Sequence, residues 1–66
     1  MKETIRAARR RLGITQAELA ERLNVTQAAV SHWEQGITVP SSRQMVTLAE
    51  VLKTTVSELY GEKVTA

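Results

Sequence analysis

Thr26, Gln27, Ala28, Ser31 and His32 recur at the spacing that puts them on one side of a helix, away from Val30 and Trp33. These side chains are short or polar and almost free of charge, which is unusual for a helix face that meets only water. They suit the edges of nucleobases. Glutamine can pair with adenine through two hydrogen bonds, serine and threonine can donate or accept, and the Ala28 methyl can touch a thymine methyl. The plain alternative is a solvent face that happens to be short of charge. Other chemistries find little to work with. His32 is the only histidine and there is no cysteine, so no metal-ligand spacing exists and neither a metal nor a cofactor is expected. His32 also lacks a nucleophile to serve, no carboxylates are paired for acid–base work and no glycine loop cradles phosphate, so an enzyme is not expected.

The stretch QAELAERLNVTQAAVSHWE, residues 16–34, must position those side chains. Leu19 and Leu23 are four apart and Ala20 and Leu23 three apart, which makes one apolar stripe. The pattern breaks at Asn24, restarts at Val25 and returns as Val30 and Trp33. Two stripes separated by a polar turn residue predict two short helices crossing at a steep angle over a shared core. Ala20 is small where the crossing must be close, and Asn24 tolerates the left-handed conformation that so tight a turn needs. Trp33 shares the register of Val30 and is expected in the core, with its indole N–H seeking an acceptor.

The remaining elements follow from caps and periodicity. Ile5, Ala8 and Leu12 form the stripe of a first helix over about residues 2–12, ended by Gly13. Thr15 with Glu18 is a capping box that opens the second helix, and Gln16 lies in its first turn, where unpaired backbone N–H groups favour a phosphate. Thr26 caps the third helix, which stops at Gly36. Pro40 sits in a loop over residues 37–42. Ser41 with Gln44 opens a fourth helix on the stripe Met45, Leu48, Ala49, Leu52, ended at Thr54 and Thr55. Thr55 with Glu58 opens a fifth, carrying Val56 and Leu59 and stopped by Gly61; residues 62–66 are expected to fray. No stretch alternates as a strand does, so the fold class is all-α, five short helices in a single domain over residues 1–66.

Sixty-six residues bury only roughly 60% of their unfolded surface, too little for a large enclosed active site. Without cysteine the fold must hold by packing. No apolar run approaches 18 residues and no signal-peptide pattern is present, so a cytoplasmic chain with no membrane partner is expected. Net charge is only +2, but Lys2, Arg6, Arg9, Arg10 and Arg11 crowd the first eleven residues, while acids prevail after Gln44. Such a basic front suits a phosphate backbone, with Arg10 a candidate contact, and equally suits a solvated helix face. Arg9 falls inside the first apolar stripe, so it either snorkels outward or meets an acid.

RRLGITQAELAERLNVTQAAVSHWEQG, followed by a proline and the LAEVL helix, resembles the Cro and C1-type repressor family of helix-turn-helix proteins, also called the XRE family, over about residues 2–61. The resemblance implies the compact lambda-repressor-like arrangement, with the third helix in the DNA major groove and the second over the backbone. It implies base contacts from Gln27, Ala28, Ser31 and His32, and backbone contacts from Gln16, Thr26 and Arg43. It also implies an internal ion pair between Arg9 and Glu34. Where the family usually has glycine at the turn, this chain has Asn24. The function implied is a sequence-specific transcriptional regulator of a prokaryotic cell or phage, bound to double-stranded DNA without a small-molecule effector. A recognition helix reads few base pairs, so a homodimer on a palindromic operator is expected. Val56, Ser57 and Tyr60 are its candidate surface, as the last groups not needed inside. An antitoxin or a restriction-system controller of the same fold, acting partly through a protein partner, would carry the same residues.

Overall fold

The structure, a computed structural model, describes residues 4–60. Five helices follow one another: α1 Ile5–Arg11, α2 Gln16–Leu23, α3 Gln27–Gln35, α4 Ser42–Val51 and α5 Val56–Tyr60. The predicted stop at Gly61, the fraying of residues 62–66 and the Tyr60 side chain lie outside the described residues. None of the described helices is long and apolar enough to cross a membrane.

The starts are set by hydroxyl caps. Thr15 accepts from the Glu18 N–H (3.0 Å) while the Glu18 carboxylate accepts from the Thr15 N–H (2.7 Å), and Ser41 with Gln44 repeats the exchange. Helix α1 starts at Ile5, the first residue of its stripe, rather than near residue 2. Thr4 is extended, at φ −76° and ψ 161°, and its hydroxyl accepts from the Ala7 N–H, so the chain enters the helix only at Ile5.

The ends of α1 to α4 share one device. A residue at positive φ follows each of them: Gly13, Asn24, Gly36 and Lys53. Its N–H and that of its successor bond back to carbonyls of the last turn, as in Asn24 to Glu21 (3.2 Å) and Val25 to Ala20 (3.0 Å). The fourth case corrects the expectation that Thr54 and Thr55 end α4. Lys53, at φ 56°, turns the chain instead and gives its N–H to the Glu50 carbonyl, while Thr54 bonds to Ala49. Lysine has no side-chain means of easing that conformation, so the stop cannot be inferred from residue type.

Helix α2 packs chiefly on α3 and also on α4; α1 leans on α3, and α5 on α4. Ala8, Leu19, Ala20, Val30, Met45, Leu48 and Leu52 form the enclosed core. Ala20 is only 4% exposed, which leaves no room for a larger side chain between α2 and its neighbours. Ile5, Leu12, Leu23, Val25, Trp33, Val56 and Leu59 close around this core. Buried Pro40 pins the connection between α3 and α4, whereas Ile37, Val39 and Val46 stand out in solvent.

Candidate nucleic-acid interface

Helix α3 is divided lengthwise. Val30 is fully enclosed and Ala29 and Trp33 are half-buried, while Gln27, Ala28, His32 and Gln35 are exposed and Ser31 is partly so. Thr26 sits at the head of this outward face, where its hydroxyl oxygen accepts from the Ala29 N–H (3.1 Å). One hydrogen bond runs along the face: Gln35 Nε2 donates to Ser31 Oγ at 2.7 Å. The only sequence signal for Gln35 is its i, i+4 spacing from Ser31.

Glu34 points the other way and ties three helices together. Its Oε2 accepts from Arg9 Nε at 2.7 Å, and its Oε1 accepts from a second Arg9 nitrogen (3.2 Å), from Arg6 Nε (3.2 Å) and from Gln16 Nε2 (3.0 Å). Arg9 also donates to the Ile14 carbonyl (3.0 Å), which fixes the guanidinium at the mouth of the α1–α2 turn. The Glu34 side chain is 0% exposed, that of Arg9 12% and that of Arg6 48%. Arg6 and Gln16 carry no sequence signal for this role, because their convergence on Glu34 depends on how the helices pack.

These contacts set the protonation states. Burial pushes the Glu34 carboxyl up, but hydrogen bonds from Arg9, Gln16 and Arg6 outweigh it, and the group lies below its ordinary value of 4.5. The hydrogen bond to Glu34 holds the Arg9 guanidinium above its ordinary value, against the opposing effect of burial. Glu18 is lowered by its bonds from the Thr15 backbone and side chain. All three groups are therefore ionised at neutral pH.

The other expected contact residues are spread over the molecule. Gln16 is half-buried in the first turn of α2; one amide N–H is committed to Glu34, which leaves the second N–H and the amide oxygen for another partner. Arg10 is exposed at the end of α1 and Arg43 in the first turn of α4. Of the residues expected at a dimer surface, Ser57 is exposed, but Val56 packs against the core. Val56 is thus needed inside, contrary to the premise on which it was chosen.

Comparison with known proteins fits this arrangement. The family described as "Helix-turn-helix" matches residues 5–59. The chain is 48% identical over 46 residues to the 26 kDa repressor protein of Escherichia phage HK022, a match that covers 70% of this chain and 20% of that protein. It is 38% identical over 53 residues to repressor protein C2 of Salmonella phage P22, covering 80% and 24%. Against the HTH-type transcriptional regulator DicA of Escherichia coli it is 37% identical over 51 residues, covering 77% and 38%. The chain thus spans about a fifth to two fifths of the length of these curated relatives. The crystal structure of the P22 c2 repressor in complex with the synthetic operator 9T superposes with a TM-score of 0.81 at 34% identity, covering 88% of this chain and 89% of that one. Five helices in the lambda-repressor-like arrangement, with α2 and α3 joined through Asn24, make this chain a member of the Cro and C1-type helix-turn-helix family.

Proposed function

We propose that the chain is a sequence-specific DNA-binding unit of a transcriptional repressor, acting in the cytoplasm of a prokaryotic or phage-infected cell. The observation that carries this is the outward face of α3: Gln27, Ala28, Ser31 and His32, exposed or partly so, among which only His32 can take a charge. A face without fixed charge gives up little hydration when it meets base edges, and each of its groups has a partner in the major groove. Gln16, Thr26, Arg10 and Arg43 take phosphates, which hold α3 in register without carrying sequence information. The superposition on a P22 c2 repressor in complex with a synthetic operator supports DNA as the partner.

The unit acts as a homodimer, because one helix of this length reads too few base pairs to single out a site. Ser57 on α5 remains a candidate for the paired surface; Val56 contributes to it only where it emerges from the core.

Selection from a pool of random duplexes tests both statements. The expected product is an inverted repeat whose half-sites lie roughly 34 Å apart, one helical turn. A pool that stays random rules out sequence reading, and a single unrepeated half-site rules out the dimer.

A further inference from the structure

We propose that Gln35 positions Ser31 for specificity: by donating to Ser31 Oγ it makes that hydroxyl a hydrogen-bond donor toward DNA. The base facing Ser31 then presents an acceptor, guanine, thymine or the N7 of adenine, and not cytosine. The inference rests on α3 being the base-reading helix, as proposed above.

A serine hydroxyl has one proton to give and two lone pairs to receive with, and a free one rotates to suit either kind of base group. Ser31 is not free. The Gln35 amide, 2.7 Å away, occupies one lone pair and turns the hydroxyl proton away from itself. A helical hydroxyl often loses its proton to the carbonyl one turn back, as Thr47 does to Arg43 at 3.3 Å. Among the described residues Ser31 makes no such bond, so its proton stays available on the outward face. Guanine O6 and N7, thymine O4 and adenine N7 accept that proton; cytosine alone offers the major groove a donor and no acceptor. The cytosine amino group would take the remaining lone pair and leave the proton unpaired in a water-excluded interface, which is the costlier loss. Gln35 thereby sets the sense of a contact without itself needing to touch a base.

The test repeats the duplex selection with three surface variants whose substitutions spare the core. Ser31→Ala should flatten the preference at one position of each half-site. Gln35→Met keeps the length but removes the amide, and should open that same position to cytosine. Gln35→Glu replaces the donor with a carboxylate that takes the Ser31 proton, and should turn the position toward cytosine by roughly five- to tenfold relative to the unaltered chain. The added negative charge should weaken binding to every duplex alike, so the base ratio is the readout. If Ser31→Ala flattens nothing, or both Gln35 variants exclude cytosine to the original degree, the inference is overturned while the DNA-reading proposal stands. If the unaltered chain selects no sequence at all, it is that proposal which has failed.

Discussion

The two sides of α3 invert the usual distribution of charge. Its solvent side offers Gln27, Ala28, Ser31, His32 and Gln35, none with a permanent charge. Its inner side holds Glu34, a carboxylate with no exposed surface that accepts four N–H groups from Arg6, Arg9 and Gln16. A surface charge costs little to keep in water but must be dehydrated before a base can approach, and a carboxylate near the groove would repel phosphates. Enclosed among cations, the same carboxylate does neither and fixes how α1, α2 and α3 sit together. One helix thus separates architecture from recognition by side, so each can be disturbed without the other.

The largest disturbance is on the inner side. Glu34→Ala leaves the Arg9 guanidinium enclosed without its partner and should cost about 3–5 kcal/mol. Chains of this length hold only about 3–10 kcal/mol in total, so the variant should lose from about a third of its stability to all of it, seen as a large fall in the urea or thermal midpoint. Replacing both partners, Arg9→Met with Glu34→Leu, removes the stranded charge along with the pair and should be milder than Glu34→Ala alone. Costs that simply add in the double variant would mean the pair is not a coupled unit. Acid gives an independent check. The folded Glu34 carboxyl lies below 4.5, so its contribution is complete above that pH and drains away as the pH falls through the lowered folded value. The acid limb of stability should shrink in the double variant.

Much of this division is legible in the sequence, and the limits of legibility are physical. Caps and stripes are local: Thr15 with Glu18, Ser41 with Gln44, and the run Met45, Leu48, Ala49, Leu52 announce α2 and α4 through contacts within four residues. The outward face of α3 is legible for the same reason. Arg9 advertises itself as a charge in an apolar stripe, but Arg6 and Gln16 reach Glu34 across 28 and 18 residues, and nothing local marks such a meeting. Exposure of Ile37, Val39 and Val46, and loss of Val56 to the core, depend likewise on which surfaces the packed helices leave uncovered.

On the outer side the expected effects are smaller and of two kinds. Gln27→Ala should cost about 1–3 kcal/mol on the selected duplex and relax preference at one position, with the thermal midpoint of the free protein unmoved. Arg43→Ala should weaken binding to all duplexes alike and lower the slope of log affinity against log salt by about one. Fluorescence anisotropy titrations at several salt concentrations separate the two. A uniform loss from Gln27→Ala would reassign it to the backbone and narrow the reading face to Ala28, Ser31 and His32.

The smallest effect asks whether stability and recognition are separable in the other direction. Lys53 and Asn24 both hold the left-handed conformation, at φ 56° and 58°, but asparagine adopts it readily and lysine does not. Lys53→Gly removes that strain at the end of α4, away from both sides of α3, and should raise stability by about 0.5–1 kcal/mol, a few degrees in thermal midpoint. Asn24→Gly should change the midpoint far less, since most of the relief is already in place. Neither should alter which bases are preferred at any position. If the more stable Lys53→Gly protein read a different sequence, the setting of α3 would depend on the stability of the whole fold, and the outward face could not be treated as independent of the Glu34 anchor behind it.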